Sequence, residues 1–544
     1  MRATTAAIRE PGLEADPFAR LIAALREPAR HADRPERVEL LETHISCILL
    51  AGNYAYKIKK PVNLGFLDFT RLAARRFYCE EEVRLNRRTA PALYLNVIPI
   101  TGSAADPVLG GEGPPIEYAI RMRRFPQDAL LDSMARNRTL TADCMDSLGV
   151  HVAEFHRSLE PAGADRAYAS SAQVLAAALQ NFDQIQALGG ADESDGTLDS
   201  LRSWTSRQHA ALAGVFEARK RNGFVRECHG DLHLGNIVQL DGEPVPFDCI
   251  EFNAAFRWID VMNDIAFLVM DLQEHGLAHL AFRFLNRYLE TTGDYEGLRV
   301  MRFYIVYRAL VRAKVARIRG TQPGTSRESR AQAARDYARY LAFARGAATG
   351  ACGALIVMHG LSGSGKSTAA RQLAESLHLV QLRSDVERKR LHGLAPRART
   401  ASGLSAGVYT TADTERTYVR LADLACHVIA AGYPAIVDAA FLAARHREQF
   451  RRLAREVNVP FSIVSCTAPA EVLRQRLALR EAQGNDASEA GLAVLEQQRV
   501  TCEPLAENEA ADVIEIHWRN PAASLPGVTA TLARHLRVKR GIQP

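Results

Sequence analysis

The sequence of 544 residues lacks the features that mark secreted, membrane-spanning or zinc-binding proteins. Its nine cysteines are scattered and odd in number, with no CxxC pair and no Cys/His cluster. Neither a disulfide framework nor a structural zinc site is therefore expected. The first thirty residues contain no apolar core typical of a signal peptide, and no apolar run approaches the length of a membrane span. We expect a reduced, cytoplasmic protein that does not bind a membrane.

A strong excess of charge of one sign is also missing. The formal net charge of +6 is small for this length. It suits anionic nucleotides but does not amount to the extended basic surface of a dedicated nucleic-acid binder. Nucleic acid is accordingly a less favoured partner than small molecules. With 47% hydrophobic and 24% charged residues, the chain is expected to form two or three globular domains.

The first informative motif is His-Gly-Asp, which ends at Asp231. Asn236 follows five residues later, and Asp248 lies a further twelve residues on. Asp241-Gly242, between two apolar runs, predicts a hairpin with Asn236 and Asp248 near its two ends. This spacing matches phosphoryl-transfer sites, in which a carboxylate orients the attacking hydroxyl and oxygen ligands hold Mg²⁺. We assign the first role to Asp231 and the second to Asn236 and Asp248; a surface turn is the alternative.

On these residues the chain resembles the aminoglycoside phosphotransferase-like family, whose hallmark is an HGDxxxxN loop followed by an aspartate on a strand. Gly230 occupies the position where protein kinases usually have arginine. The resemblance implies a protein-kinase-like, bilobal α+β fold and a small-molecule kinase more than a protein kinase. It does not identify the acceptor, since a fold names the chemistry and not the substrate.

A kinase of this type needs a lysine for the nucleotide phosphates and a helical glutamate as its partner. Tyr54–Lys57 has the form of the kinase V-A-I-K strand, and strand alternation puts Lys57 and Lys59 on one face. We prefer Lys57 to Lys59; an edge strand protected by lysines is the alternative. In the helix predicted over 70–88, we choose Glu82 among three consecutive glutamates, although such a run is often a solvated face.

A second kinase signature follows a glycine-rich boundary. The apolar run Ala354–Met358 leads into GLSGSGKST, which satisfies G-x-x-x-x-G-K-[ST] in a strand–loop–helix context. Backbone amides of this loop surround phosphate, Lys366 bridges the β- and γ-phosphates, and Ser367 ligates Mg²⁺. The nucleotide-binding residues assigned here are Gly360, Gly363, Ser364, Gly365, Lys366, Ser367 and Thr368.

Alternating strands and helices after this loop predict a doubly wound α/β domain. The strands are expected near 379–383, 434–438, 461–466 and 512–517. Asp438, at the end of the second of these, is placed to order Mg²⁺ or its waters. Asp385 follows the first and is our candidate for the base or orienting group, with a helix N-cap as the alternative.

This part of the chain resembles the gluconate-kinase-like and polynucleotide-kinase-like P-loop kinases with an AAA-type ATP-binding motif. The resemblance implies that Asp385 meets the acceptor hydroxyl and that Arg388 binds an anionic group of the substrate. It also implies a lid helix over 473–481, in which Arg476 contacts the nucleotide and Arg480 the transferring phosphate. These two arginines are four residues apart and share a helix face, so a basic surface helix is the alternative.

Together these patterns predict an α/β multidomain protein that binds ATP and Mg²⁺. The expected parts are an N-terminal segment 1–37, a phosphotransferase-like kinase domain 38–320, a helical linker 321–353 and a P-loop kinase domain 354–544. The expected function is a bifunctional phosphotransferase acting on small-molecule hydroxyls. A C-terminal polynucleotide 5′-hydroxyl kinase, an N-terminal protein kinase, or a half that only binds nucleotide are the alternatives. The sequence indicates neither the acceptors nor the oligomeric state.

Overall fold

The computed structural model describes residues 16–534, except for 64, 66, 164–167, 190–195, 323, 351–352, 397, 399–409, 484–490 and 518–525. Most of the first half of the predicted segment 1–37 therefore lies outside the described residues. The chain divides into two compact units, Met1–Thr139 with Glu227–Ile259, and Leu140–Arg226 with Asp260–Pro544.

The strands and helices are numbered along the chain. The strands are β1 Val38–Glu42, β2 Ser46–Ala51, β3 Tyr54–Lys59, β4 Tyr94–Gly102, β5 Pro107–Leu109, β6 Glu117–Arg123, β7 Val225–Glu227, β8 Ile237–Leu240, β9 Glu243–Pro246, β10 Trp258–Asp260, β11 Ala354–His359, β12 Val380–Arg383, β13 Pro434–Asp438, β14 Phe461–Thr467 and β15 Val513–His517. The helices are α1 Pro17–Leu25, α2 Leu72–Asn86, α3 Leu131–Arg136, α4 Ala142–Ser158, α5 Ser171–Ala187, α6 Thr197–Arg221, α7 Ala254–Arg257, α8 Val261–Glu274, α9 Ala278–Thr292, α10 Leu298–Thr321, α11 Arg327–Thr349, α12 Lys366–Leu377, α13 Ser384–Leu391, α14 Thr411–Ala430, α15 Ala444–Glu456, α16 Ala470–Gln483 and α17 Leu492–Thr501.

The first unit is built on a six-stranded antiparallel sheet with the order β1-β2-β3-β6-β4-β5. Strand β3 lies inside this sheet, and its alternating side chains serve two faces. Tyr56 and Ile58 pack with Leu21 and Leu25 of α1, whereas Ala55 packs with residues of α2. Because Lys57 has the parity of Ala55, it faces α2, as strand alternation predicts.

The second unit contains a five-stranded sheet with the order β12-β13-β11-β14-β15, in which every pairing is parallel. Its central strand β11 is buried along its whole length and apolar up to Met358, as expected for a strand covered on both faces. Ile356 and Met358 pack against Ala369 and Leu373 of α12. The carboxyl ends of β11, β12 and β13 lie at one edge of the sheet, where ligands of such folds bind. The predicted fold class, α+β followed by a doubly wound P-loop domain, is confirmed.

Helices α4–α6 and α8–α11, which precede the P-loop domain in the chain, belong to the same compact unit as that domain. Within the predicted linker, α11 buries Ala333, Tyr337, Tyr340 and Ala344. Their spacing places them on one helix face, which packs along α10. Within the described residues, no helix is both long and apolar enough to cross a bilayer.

The hairpin predicted at Asp241-Gly242 is present, with β8 paired to β9. Two glycines of this segment share a left-handed backbone, with φ of +86° at Gly230 and +88° at Gly242. They differ in the space around them. A Cβ on Gly230 would lie 2.7 Å from the carbonyl oxygen of Phe256, whereas a Cβ on Gly242 would have no neighbour within 4 Å. The arginine of protein kinases cannot replace Gly230 here without a shift of the backbone.

Gly230→Ala is expected to destabilise the protein more than Gly242→Ala. Both variants share the cost of about 1–2 kcal/mol for a left-handed alanine. Only Gly230→Ala also displaces the Phe256 carbonyl, which adds roughly 1–3 kcal/mol of overpacking. Urea unfolding of the two variants measures the difference. Equal midpoints would show that the close approach at Gly230 has no energetic consequence.

Candidate active sites

The loop before β8 brings two predicted residues together. The Asn236 side-chain nitrogen donates to Oδ2 of Asp231 at 3.0 Å and to the Asp231 carbonyl oxygen at 3.1 Å. Because the side-chain nitrogen of Asn236 faces Asp231, its amide oxygen is the atom that can bind a cation. The His233 ring nitrogen Nε2 lies 3.4 Å from the same Asp231 oxygen. The candidate catalytic carboxylate and the first candidate metal ligand are therefore direct neighbours.

The histidine of the His-Gly-Asp motif holds this loop in place. His229 is buried, and its Nδ1 accepts the backbone N–H of Asp231 at 3.3 Å. Its Nε2 then carries the proton and donates to the Phe247 carbonyl oxygen at 2.8 Å. A single tautomer satisfies both bonds. Because Phe247 precedes Asp248, the ring connects the two halves of the candidate site.

Asp248, the second candidate metal ligand, has a backbone that non-glycine residues rarely adopt, with φ of +63°. Neighbouring elements hold it there. Its N–H donates to the Tyr94 hydroxyl oxygen at 3.2 Å, and the next N–H, that of Cys249, donates to the Asn86 side-chain oxygen at 2.9 Å. This backbone turns the carboxylate toward β3.

A chain of five alternating charges leads inward from Asp248. Lys57 Nζ lies 2.5 Å from Oδ1 of Asp248 and 2.7 Å from Oε1 of Glu82. Lys59 Nζ lies 2.6 Å from Oε2 of Glu82 and pairs with Glu251 at its other side. The four inner side chains are buried, while the Asp248 side chain is 41% exposed. This charge chain therefore has one end, at Asp248, that solvent and ligands can reach.

The pKa shifts follow from this alternation. Burial lowers the pKa of Lys57, but the Asp248 and Glu82 carboxylates outweigh it and hold that pKa well above its usual value. Burial raises the pKa of Glu82, but the two lysines outweigh it and lower that pKa overall. Glu251, which has one close lysine, keeps a pKa raised by burial. Glu82 is thus the fixed anion between two ammonium groups.

Lys57, preferred from the sequence, contacts the preferred glutamate. Lys59 contacts the other oxygen of the same carboxylate, so the two lysines are not competitors for one position. Glu251 was not predicted. The signal available in the sequence is the position of Glu251, three residues after Asp248. No local pattern connects Glu251 with Lys59, which lies 192 residues away.

The P-loop has the backbone that its glycines allow. Gly360, Gly363 and Gly365 have φ of +139°, +81° and +89°. A Cβ on Gly360 would lie 2.4 Å from the Cys466 carbonyl oxygen, and one on Gly363 would lie 2.9 Å from that of Leu473. Side chains are therefore excluded where the loop packs on β14 and α16. Helix α12 begins directly after the loop, so its free N–H groups point toward a bound anion.

The other predicted loop residues surround this helix start. Ser364 is buried, with its N–H donating to the Leu361 carbonyl oxygen at 3.1 Å, and Thr368 is exposed in the first turn of α12. Lys366 Nζ donates to the same Leu361 carbonyl at 2.8 Å. Burial lowers the pKa of Lys366, although the Asp438 carboxylate opposes this. Phosphate would supply the negative charge that this ammonium lacks.

Asp438 ends β13 at the mouth of the loop. Its Oδ1 accepts the Ser367 hydroxyl at 3.2 Å, so the two predicted Mg²⁺ ligands are in contact. Gln381 Nε2 donates to Oδ2 at 3.2 Å, and Arg383 Nε lies 3.6 Å from that oxygen. Burial raises the pKa of Asp438, while Arg383, Ser367 and Lys366 lower it. Gln381 and Arg383 were not assigned a role from the sequence.

Asp385 lies in the first turn of α13, beyond the end of β12. Its negative charge raises the pKa of both Lys366 and Asp438, so it lies within electrostatic reach of the P-loop. Arg388 is on the same helix and is 8% exposed, with Nη1 donating to the Thr414 hydroxyl at 3.2 Å. The predicted acceptor residues thus lie on a helix next to the candidate phosphate site.

The predicted lid helix is present as α16. Arg476 Nη1 donates to the Gly363 carbonyl oxygen at 3.4 Å, and the charge of Arg480 lowers the pKa of Lys366. Both arginines therefore lie near the P-loop. Gln498 of α17, which was not predicted, accepts the Ser362 N–H at 2.8 Å. Its position 136 residues after Ser362 explains why no sequence pattern indicated it.

Lys59→Met is expected to destabilise the first unit strongly. It leaves Glu251 and one oxygen of Glu82 buried without their cation, which typically costs about 3–5 kcal/mol. The matched control is Lys60→Met, which removes a partly exposed pair with Glu42 and should cost less than about 1 kcal/mol. Urea unfolding measures both. Similar midpoints for the two variants would contradict the energetic importance of the charge chain.

Comparisons with known proteins cover both units. A family model described as an AAA domain matches residues 355–505. Uncharacterized proteins of Mycobacterium tuberculosis and Mycobacterium bovis are each 30% identical to this chain over 454 residues, which is 83% of this chain and 88% of the relative.

Two solved structures match parts of this chain. A choline/ethanolamine kinase family protein from Mesorhizobium loti covers 60% of this chain and 98% of its own, with 15% identity and a TM-score of 0.37. A gluconokinase from Sinorhizobium meliloti covers 34% of this chain and 94% of its own, with 20% identity and a TM-score of 0.26. The chain belongs to the same family as the mycobacterial proteins, and its residues 355–505, which contain the P-loop, match an AAA domain.

Proposed function

We propose that the protein is a bifunctional phosphotransferase with two ATP-dependent sites, each transferring the γ-phosphate to a hydroxyl of a small molecule. One observation supports this most. At each site a lysine and a candidate metal-binding carboxylate occur together with a second carboxylate that can orient a hydroxyl. In one unit Lys57 contacts Asp248, and His229 joins the loop of Asp231 to the residue before Asp248. In the other unit the charges of Asp438 and Asp385 both act on Lys366.

The candidate ligands fit Mg²⁺, because they are oxygen atoms of an amide, a hydroxyl and carboxylates, with no sulfur or imidazole in the set. Asn236 and Asp248 would hold the ion in the first unit, and Ser367 and Asp438 in the second. A bound Mg²⁺ supplies charge neutralisation on the β- and γ-phosphates.

In the first unit, Asp231 orients the acceptor hydroxyl and takes its proton. Lys57 binds nucleotide phosphate, and Glu82 fixes the direction of Lys57 through their 2.7 Å contact. In the second unit, backbone N–H groups around Gly363 and Gly365 surround phosphate, and Asp385 orients the acceptor.

The substrate classes differ between the sites. Arg388, which is buried and lies on the same helix as Asp385, supports an acceptor with an anionic group in the second unit. In the first unit the four buried side chains of the charge chain are two lysines and two glutamates. They supply no excess negative charge for a polycationic acceptor such as an aminoglycoside.

ATP binding by calorimetry in the presence of Mg²⁺ tests the two sites. The wild-type chain is expected to bind two ATP, Asp248→Ala to lose one site because a metal ligand is gone, and Lys366→Ala to lose the other. A single site that disappears only in Lys366→Ala would contradict a nucleotide site in the first unit. Loss of both sites in either single variant would contradict their independence.

Asp231→Asn and Asp385→Asn separate chemistry from binding. Each is expected to keep both ATP sites while lowering ADP release at its own site by about 10²–10⁴-fold, the usual contribution of a proton acceptor. ADP release is measured with a set of hydroxyl acceptors that includes a 5′-hydroxyl oligonucleotide, which tests the polynucleotide alternative. Unchanged release in both variants would exclude these carboxylates as the orienting groups.

A further inference from the structure

Helix α9 makes an unusual contact with the edge of the P-loop sheet, and both lie in the second unit. Asn286 Nδ2 donates to the Leu379 carbonyl oxygen at 2.9 Å, and Asn286 Oδ1 accepts the Gln381 N–H at 2.8 Å. Strand β12 is at the edge of its sheet, so no strand within the described residues pairs with these backbone groups. The Asn286 amide takes the place of that strand.

One turn further along α9, Glu290 makes the second contact. Its Oε1 lies 3.2 Å from Nη1 of Arg383, which is two residues after Gln381. Four residues along a helix rise about 6 Å and two residues along a strand about 6.6 Å. Asn286 and Glu290 therefore match Gln381 and Arg383 in register.

The two β12 residues held by α9 are the ones that contact Asp438. Gln381 Nε2 donates to Oδ2 of Asp438 at 3.2 Å, and Arg383 Nε lies 3.6 Å from the same oxygen. The Arg383 guanidinium is thus shared between Glu290 and Asp438, and its side chain is only 13% exposed. Two short paths, through Gln381 and through Arg383, connect α9 with this carboxylate.

We propose that Asn286 and Glu290 of α9 are positioning residues for the P-loop site, which orient Asp438 through Gln381 and Arg383. The inference rests on the proposed Mg²⁺ role of Asp438. Glu290 shares the positive charge of the Arg383 guanidinium with Asp438. Arg383 therefore does not neutralise Asp438 completely, and Asp438 can bind a cation. Since α9 lies within residues 38–320, a helix of the predicted kinase-like domain completes the site of the P-loop domain.

The matched control comes from another contact of the same helix. Arg283 of α9 pairs with Glu375 of α12, with 2.5 Å between Nη1 and Oε1. Glu375→Gln therefore weakens the packing of α9 against the P-loop domain without touching Asp438, Gln381 or Arg383. A role of α9 in stability alone predicts equal effects of Glu375→Gln and Glu290→Gln.

The experiment measures Mg²⁺ affinity by calorimetry on the full chain carrying Asp248→Ala, loaded with ATP, so that the P-loop site alone is followed. Glu290→Gln is expected to weaken Mg²⁺ binding about 10-fold, the lower end of the loss for a direct partner of a metal ligand, because Glu290 acts on Asp438 through Arg383. Glu375→Gln is expected to leave it unchanged. Asn286→Ala, which alters no charge, should also weaken it, through Gln381.

A double variant shows whether Glu290 acts through Arg383. In an Arg383→Gln background, Glu290→Gln is expected to have little further effect on Mg²⁺ affinity. Equal affinities in Glu290→Gln and Glu375→Gln, with ATP–Mg²⁺ binding intact in the parent, would overturn the positioning role alone. Absence of Lys366-dependent ATP–Mg²⁺ binding in the parent would overturn the proposed function of this unit and the inference with it.

Discussion

A buried carboxylate stays ionised only when cations and hydrogen-bond donors replace the water it has lost, and both candidate sites depend on this constraint. Glu82 lies between Lys57 and Lys59, and Asp438 is surrounded by Ser367, Gln381 and Arg383. The two lysines that compensate Glu82 of α2 come from β3, and the groups that compensate Asp438 of β13 come from α12 and β12. The local fold around each site is therefore determined by which strands and helices must meet to satisfy one carboxylate.

At the first site, a movement of α2 would break both ion pairs of Glu82. A shift of α2 that carried Glu82 away from Lys57 would also separate it from Lys59 and leave the Glu82 carboxylate without a cation. Leaving buried charges unpaired costs several kcal/mol, about 3–5 for one broken buried pair. Breaking the Lys57–Glu82 contact by a movement of α2 is therefore costly. In the proposed function, the lysine that binds nucleotide phosphate in the first unit is preorganised by its own neighbours.

Much of the fold and of both sites could be predicted from the sequence, because the signals are local. The P-loop is encoded in eight consecutive residues and the strand before them, and the hairpin after Asn236 in the Asp241-Gly242 turn. The partners of these motifs are not local. Glu251 meets Lys59 across 192 residues and Gln498 meets Ser362 across 136, and no periodicity or spacing connects such positions. The roles assigned to the site residues stay predictions, while the fold class and the family are confirmed.

Helix α9 and the P-loop sheet belong to one compact unit. Each motif indicates where a site is, but the chemistry of the site needs groups that no motif includes. At the P-loop, the edge strand β12 exposes backbone groups that a P-loop domain alone would leave to solvent, and Asn286 supplies their partners. The same helix then adds Glu290 to the charges around Arg383. Under the proposed Mg²⁺ role of Asp438, α9 is therefore part of the electrostatic environment of the P-loop site.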